Sequence, residues 1–275
     1  MAAILRFSSF VILSAFVLCL CGSGQAPAEG TLQTSSQEGL LILHKMQTAL
    51  GGADKIAAIR DYEETARASI WNNAGSPMGE VRKRTRWMRN PNLIRLDQLG
   101  PHDTYVLYFD GESGSGWEML PDLKNTDRFK TTGASIALAG GELEFAEHYL
   151  SGFDLNVWLA DRIPGYTVTS PASNVVRIAH DGAAIDITLD PATSLPIKSA
   201  SVSLANPDRP VRAELRYEGW TEVAGVRFPK QRANYHDGIK LAEETDESAV
   251  RVNAGLTREE LAAKPADFAP DIPQR

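Results

Sequence analysis

The residues whose types could support metal-dependent hydrolysis are sparse in this chain. Glu144, Glu147 and His148 form the densest group of potential metal ligands. Helical zinc sites of hydrolases need two histidines four residues apart with a glutamate between them, and this group supplies a single histidine. The other histidines are scattered, at His44, His102, His180 and His236. We therefore predict no metal site and interpret the group as a solvated helix face.

A second segment, residues 111–116, has the glycine and serine content of a nucleophile elbow or a phosphate-binding loop. Neither Ser113 nor Ser115 has glycine both two residues before and two residues after it. The segment also lacks the lysine of a phosphate-binding loop. We interpret it as the tip of a β-hairpin. The sequence thus predicts no catalytic residue and no cofactor, and a hydrolase with a hidden site is the least favoured hypothesis.

Residues 1–28 have the features of a secretory signal peptide. Arg6 is followed by an apolar run over residues 10–20 and then by small residues over 22–28. That order is typical of export signals, and the run is shorter than the roughly 20 residues that span a bilayer. We expect cleavage after Gly24 or Ala28 and a periplasmic location for the mature chain.

Both cysteines, Cys19 and Cys21, lie inside this signal. The mature chain then has no disulfide and depends on an apolar core for its stability. The alternative is that one of the two cysteines carries a lipid, which would make the protein an outer-membrane lipoprotein. Leu18 and Leu20 stand before the cysteines, where a small residue is usual.

The charge balance argues against a nucleic-acid partner. The chain has 28 basic and 35 acidic residues, a net charge of −7, and no basic arm. The densest basic run places Arg82, Arg84 and Arg86 on one face of a strand and Lys83 on the other. A solvated outer face is the favoured interpretation, and a docking surface for anionic headgroups is the alternative.

Helices are predicted at both ends of the mature chain and at one point between strands. Ser35 and Glu38 form a capping-box pattern before a helical apolar period that Gly51 ends. A short helix follows over residues 55–59, and a second capping box at Thr257 and Glu260 opens a C-terminal helix. Residues 135–162 form a helical insertion with many apolar and aromatic side chains.

Between these helices the apolar period changes to two, which indicates β-strands. Ile185, Ile187 and Leu189 alternate with polar residues, as in a strand with one wet face. The strand around Tyr105 and Phe109 is apolar on both sides, so we expect it to be covered on both faces. About 11 such runs, separated by turn signals, favour a meandering antiparallel sheet.

The predicted fold is mainly β: one large curved antiparallel sheet, an open or incomplete β-barrel of about 11 strands. An N-terminal helix and the helical insertion, acting as a lid, would cover its apolar face. The predicted organisation is a signal peptide (1–28), a spacer (29–34), one domain (35–266) and a disordered tail (267–275).

Five short segments form a pattern through their order along the chain. They are residues 89–95 (Arg-Asn-Pro-Asn-Leu-Ile-Arg), Asp110-Gly111 with Trp117 and Pro121, residues 190–196 (Asp-Pro-Ala-Thr-Ser-Leu-Pro), Gly219-Trp220 with residues 226–229 (Val-Arg-Phe-Pro), and Val252-Asn253-Ala254. Together they resemble the LolA family of periplasmic carriers, which ferry lipoproteins to the outer membrane, and the wider LolA- and LolB-like group. The resemblance implies an open barrel with a helical lid over an apolar cavity that holds acyl chains.

One departure from the family pattern concerns the arginine that latches the lid in LolA proper. The family places it directly before Pro-Asn-Leu, where this chain has Asn90, and the arginine here is Arg89. A one-residue shift in a strand turns a side chain to the opposite face. We therefore expect a LolA-like protein rather than LolA, with Arg89 as a polar residue at the lid or cavity mouth.

The leading hypothesis is a non-enzymatic, monomeric carrier for acyl chains of lipoproteins or lipids, with envelope membrane proteins as further partners. The alternative is an interaction module of the cell envelope that has no lipid cargo. Aromatic and apolar residues near the family-like strands and in the lid are the predicted lining of the cavity: Trp87, Leu93, Phe109, Trp117, Phe153 and Trp158.

Overall fold

A computed structural model describes residues 34–72, 74–99, 105–119, 135–203, 213–246 and 250–264. The predicted signal peptide, with Cys19 and Cys21, lies outside the described residues, as do most of the spacer and the predicted tail. Within the described ranges, no helix combines the length and the apolar character needed to cross a bilayer.

The described residues form five helices and 14 strands. The helices are α1 (Gln37–Leu50), α2 (Ala53–Ala57), α3 (Gly141–Ser151), α4 (Asp154–Val157) and α5 (Arg258–Ala262). The strands are β1 (Asp61–Trp71), β2 (Pro77–Met88), β3 (Leu93–Leu99), β4 (Tyr105–Asp110), β5 (Ser115–Met119), β6 (Ile136–Ala137), β7 (Thr167–Ala172), β8 (Val175–His180), β9 (Ala183–Leu189), β10 (Pro196–Ser203), β11 (Ala213–Val223), β12 (Val226–His236), β13 (Ile239–Asp246) and β14 (Arg251–Val252).

All described strands belong to one antiparallel sheet built from two meanders. Strands β1 to β6 and strands β7 to β13 each pair in chain order, and β1 joins the meanders by pairing with β13. The edge strands are therefore β6 and β7, which are consecutive in the chain. The segment between them carries α3 and α4 from one edge of the sheet to the other.

The fold prediction is confirmed as one large open antiparallel sheet with few helices, but the number of strands was underestimated. The described residues form 14 strands instead of about 11. Two of the additional strands, β6 and β14, contain only two residues each. Such short strands have no detectable period of two, because an alternation needs at least four residues to be seen.

The structure also corrects the predicted helical insertion, which is not helical from end to end. Its start, Ile136–Ala137, pairs with β5 as the edge strand β6 instead of forming a helix. Two separate helices follow, because Gly152 ends α3 and Phe153 has an extended backbone at the start of α4. We call residues 141–160, which contain both helices, the cover.

Helix α1 begins and ends close to the predicted positions. The N-cap is Ser36 instead of Ser35, and its hydroxyl accepts a hydrogen bond of 3.0 Å from the Gly39 amide. Ser35 instead accepts a hydrogen bond from the Val168 amide of edge strand β7. Gly51 ends the helix at a φ of 122°, a conformation that disfavours residues with a side chain.

Both faces of the sheet are covered around β4, as predicted. The concave face carries the main core, to which α1, the cover and β4 residues such as Leu107 and Phe109 contribute. The convex face carries a smaller cluster in which Tyr108 and Trp117 pack beneath Leu261 of α5. The predicted capping box at Thr257 and Glu260 is present at the start of α5.

We predict that the contact between α1 and β7 depends on a residue without a side chain. A Cβ atom at Gly39 would lie 2.6 Å from backbone atoms of Thr169, and backbone cannot move aside as a side-chain tip can. Gly39→Ala should therefore lower the free energy of unfolding by about 1–3 kcal/mol, the usual cost of overpacking. Chemical denaturation measures this loss.

The matched control is Gly141→Ala, because Gly141 also lies in the first turn of a helix but has no atom within 4 Å of its virtual Cβ. This variant should unfold at the wild-type denaturant concentration or slightly above it. Equal stability of the two variants would contradict close packing of α1 on β7.

Candidate functional site

The two segments that suggested chemistry lie at the surface. The hairpin over residues 111–114 joins β4 to β5, and the Asp110 carboxylate accepts hydrogen bonds from the Glu112 and Ser113 amides. His148 contacts the Glu144 carbonyl oxygen of its own helix at 2.6 Å. Among the described residues, no three histidine, cysteine or acidic side chains are placed to hold a metal ion.

The structure separates the six residues predicted to line the cavity. Trp87, Phe109 and Trp158 are buried in the main core of the concave face, and Phe153 packs against that core. Leu93 and Trp117 belong to the convex cluster under α5, so they are not on the face that the cover occupies. The sequence could not separate these sets, because buried residues occur on both faces of β3 and β4.

Arg89 lies beside α2 and next to Trp87. Its guanidinium donates hydrogen bonds of 2.9 and 3.1 Å to the carbonyl oxygens of Ile59 and Ile56, and it lies 4.8 Å from the centre of the Trp87 ring. A cation at the C-terminal end of a helix satisfies carbonyl groups that have no partner within the helix. In this conformation Arg89 fixes α2 against β2.

Phe153 is the residue through which the cover enters the aromatic part of the concave face. Its ring centre lies 5.5 Å from that of Tyr62 and 5.5 Å from that of Trp87. Tyr62 and Trp87 are directly opposite each other on β1 and β2. The half-buried Phe153 ring therefore fills the space between two side chains that the sheet itself leaves apart.

A cleft of about 90 Å³ lies beside Phe153, between the cover and the sheet. The cover contributes four lining residues, Tyr149, Gly152, Phe153 and Asp154, and the sheet contributes the rest: Glu64, Lys83, Thr85, Leu215, Arg232, Asn234 and Glu244. Five of these eleven side chains are charged. The cleft is therefore a polar site at the margin of an apolar core.

A chain of polar contacts joins the sheet to the cover across this cleft. Arg232 on β12 donates to the Glu64 carboxylate on β1 and lies 3.8 Å from an oxygen of Asp154 in the cover. The Tyr217 hydroxyl donates a hydrogen bond of 3.2 Å to the other Asp154 oxygen. Tyr62 donates to Glu64 at 2.8 Å. Asp154 thus provides the cover's ionic contact with the Arg232 guanidinium.

The charges in this network respond differently to burial. Burial raises the pKa of Asp154, although Arg232 and the Tyr217 hydrogen bond oppose the rise. Burial alone would lower the pKa of Arg232, but the Glu64 carboxylate raises it well above the usual value. Lys83 behaves in the same way beside Glu244, and its pKa is raised. The two cations therefore stay charged, whereas burial opposes the ionised form of Asp154.

A second acidic contact lies near the start of the cover. Glu118 on β5 is buried, and its Oε2 atom has no hydrogen-bond partner among the described residues. Burial raises the pKa of the Glu118 carboxyl, and the Glu142 carboxylate in the first turn of α3 raises it further. The cover is therefore attracted to the sheet at Asp154 and repelled from it at Glu142.

Sequence reasoning missed most of the polar cleft. Lys83 was correctly placed on the face opposite Arg82, Arg84 and Arg86, but its ionic partner Glu244 was not predicted. A signal was present on β1, where Glu64 interrupts the inward series that contains Tyr62 and Ala66. A charged residue at an inward strand position indicates a buried ion pair.

This arrangement defines a class of protein: an open antiparallel half-barrel whose two edges are connected by a helical cover. An outer-membrane lipoprotein-sorting protein domain from Vibrio parahaemolyticus superposes with a TM-score of 0.51 at 15% identity, over 81% of this chain and 95% of that chain. A LolA superfamily protein from Nitrosomonas europaea superposes with a TM-score of 0.53 at 10% identity, over 83% of this chain and 99% of that chain.

A DUF1329 family protein from Desulfovibrio piger superposes with a TM-score of 0.51 at 11% identity, over 82% of this chain and 98% of that chain. No protein-family model and no curated protein matches the sequence. The chain has a LolA-like fold, which confirms the predicted resemblance at the level of structure.

The buried Glu118 carboxyl leads to a prediction about pH. Because its pKa is raised in the folded chain, the folded state binds a proton more tightly than the unfolded state. Its contribution to stability is therefore present near the ordinary pKa of 4.5 and is lost as the pH rises through the folded-state value. Glu118→Gln removes this titration, so the stability of the variant should rise relative to wild type between pH 4.5 and pH 8.

Chemical denaturation over that pH range measures the difference. Glu142→Gln is the control, since it keeps Glu118 but removes the neighbouring charge. The stability difference between Glu142→Gln and Glu118→Gln should be smaller than the difference between wild type and Glu118→Gln, but it should not disappear. The raised pKa of Glu118 would be contradicted if plots of unfolding free energy against pH for wild type and Glu118→Gln stay parallel over the whole range.

Proposed function

We propose that this protein is a non-enzymatic carrier in which the cover moves aside to admit an acyl chain to the concave face. The observation that carries the proposal is the position of Phe153. Its ring, which belongs to the cover and not to the sheet, fills the gap between Tyr62 and Trp87. An alkyl chain of similar width would make the same contacts with these aromatic rings.

Entry of a long ligand beside Phe153 requires the cover to move, because the cleft there is small in this conformation. The cleft of about 90 Å³ is well below the roughly 300–1,000 Å³ of typical ligand pockets. The cover supplies core residues such as Phe145, Leu150 and Trp158. Their withdrawal would expose an apolar trough on the sheet that includes Trp87 and Phe109.

A few polar contacts oppose this movement. The cover is bound to β11 and β12 through Asp154, and the Tyr166 hydroxyl donates a hydrogen bond of 2.7 Å to the Ser151 carbonyl oxygen. Gln47 of α1 donates a hydrogen bond of 2.9 Å to the Trp158 carbonyl oxygen. Each of these contacts contributes a net stabilisation of about 0.5–1.5 kcal/mol. An alkyl chain gains about 0.8 kcal/mol for every buried methylene, and its burial also has to offset the burial that the apolar side chains of the cover lose. A chain of 14 carbons can therefore compete with these polar contacts.

The location and partners in this proposal are those of the cell envelope. A signal peptide over residues 1–28 would deliver the protein to the periplasm, and a lipid on Cys19 or Cys21 would hold it at the outer membrane. One protein of the same fold is described as an outer-membrane lipoprotein-sorting domain. Acyl chains of lipoproteins or lipids are accordingly the proposed cargo, with envelope membrane proteins as partners for loading or release.

A second candidate is an interaction module of the envelope that holds no lipid. The observation in its favour is that the concave face is already filled by the chain's own side chains, with Trp87 and Trp158 almost fully buried. In that case the cover is a fixed part of the core, and function resides in the outer surface.

The test is native mass spectrometry of protein purified from the periplasm, followed by titration with a fluorescent fatty acid and an acylated peptide. A carrier is expected to retain lipid-sized adducts or to bind one of the two probes at micromolar concentration. Protein that is uniformly free of ligand and binds neither probe would favour the interaction module.

A variant at Phe153 should reveal competition between the cover and the ligand. Phe153→Ala removes two aromatic contacts of the closed cover, each worth about 0.5–1.5 kcal/mol. The open form becomes more populated, so the apparent affinity for the fluorescent fatty acid should rise about tenfold. Fluorescence titration measures the change.

The matched control is Leu93→Ala, since Leu93 is fully buried in the convex cluster under α5. This variant should lose about 2–5 kcal/mol of stability without a change in probe affinity. The carrier proposal fails if Phe153→Ala and Leu93→Ala have the same effect on binding.

A further inference from the structure

The cover presents an apolar ring and a carboxylate at adjacent positions. Phe153 inserts between Tyr62 and Trp87, and Asp154 reaches the Arg232 guanidinium and the Tyr217 hydroxyl. The two neighbouring side chains thus occupy an aromatic slot and a cationic site that meet at one cleft. An alkyl chain that ends in a carboxylate has the same sequence of chemical groups.

We propose that the ligand is a single-chain amphiphile with a free carboxylate, a long-chain fatty acid, whose head replaces Asp154 on Arg232 and Tyr217. The inference rests on the proposed carrier function and specifies its cargo. The alkyl chain takes the position of the Phe153 ring, and the cover's own residues occupy both sites when no ligand is bound.

Asp154 satisfies the cationic site only in part. Its Oδ2 atom is 3.8 Å from the nearest guanidinium nitrogen of Arg232, beyond the 2.7–2.9 Å of a charge-assisted hydrogen bond. A carboxylate on a flexible alkyl chain is not attached to the backbone of α4 and can accept a hydrogen bond from Arg232 at this shorter distance.

The exchange of Asp154 for a ligand carboxylate leaves the net charge of the cleft unchanged. With Asp154 in place, the lining has three carboxylates, Glu64, Glu244 and Asp154, and two cations, Lys83 and Arg232. Withdrawal of Asp154 removes one negative charge, and an incoming carboxylate restores it. A cationic head group would instead add a positive charge next to Lys83 and Arg232.

The size of the cleft also selects the head group. A carboxylate fits beside Arg232 in a space of about 90 Å³, whereas a phospholipid head or the peptide of a lipoprotein is several times larger. Ser199 is buried behind Tyr217 and contacts its hydroxyl at 3.0 Å. This contact fixes the Tyr217 hydroxyl in the position from which it donates to a carboxylate.

The experiment compares dodecanoate with its methyl ester, which has the same alkyl chain but no charge. Each displaces Nile red, a neutral hydrophobic dye, from the full chain at pH 8, below the micelle concentration. Dodecanoate should compete at a concentration at least tenfold lower than the ester, the difference expected for a hydrogen bond to a charged group in a buried site.

Two variants test whether the preference for dodecanoate over its ester arises in the cleft. Tyr217→Phe removes one donor and should reduce the acid-to-ester ratio several-fold. Asp154→Asn removes the competing carboxylate and should increase the ratio. The control is Tyr108→Phe, because Tyr108 is a buried tyrosine of the convex cluster, and its ratio should equal that of wild type. Circular dichroism verifies that each variant is folded.

The outcomes separate this inference from the carrier function. If neither compound displaces the dye and the dye itself does not bind, the carrier function fails and the inference fails with it. If both compounds compete equally, the carrier function stands and the carboxylate inference is overturned. A preference for the acid that Tyr217→Phe and Asp154→Asn leave unchanged also overturns it, since the preference then arises outside this cleft.

Discussion

The contact of Arg232 with Glu64 and Asp154 determines how the cover can lie on the sheet. A guanidinium cannot lose its proton in a protein interior, so its burial requires nearby anions. The sheet supplies one of these anions through β1, and the cover supplies the other at the start of α4. The position of the cover is therefore linked to the charge state of a residue in the middle of the sheet.

The apolar side of the cover follows from the topology. The edge strands β6 and β7 are consecutive in the chain, so the segment that connects them has to cross the concave face. That segment carries Phe145, Leu150, Phe153 and Trp158, and these side chains complete a core that the strands begin. This filling therefore belongs to the connection between the two edge strands and not to the strands themselves.

The convex face has a different role. Helix α5 covers β3 to β5 there, and Arg95 donates hydrogen bonds to the carbonyl oxygens of Glu260 and Leu261 at the end of this helix. Leu93, Tyr108 and Trp117 are buried beneath it. This part of the sheet is therefore packed on both faces.

The sequence by itself determined the class of fold, because a period of two, glycine-rich turns and capping boxes are local signals that each segment carries independently. It also determined the helix ends at Gly51 and Thr257 and the double coverage of β4.

Only the tertiary structure decided which face each apolar residue occupies. Leu93 and Ile94 are both fully buried, on opposite faces, and two consecutive apolar residues of a strand have no local feature that shows which one faces the cover. The polar cleft depended on tertiary structure for a similar reason. Glu64, Asp154 and Arg232 are far apart in the chain, and their proximity follows from the pairing of β1 with β13 and from the path of the cover across the sheet.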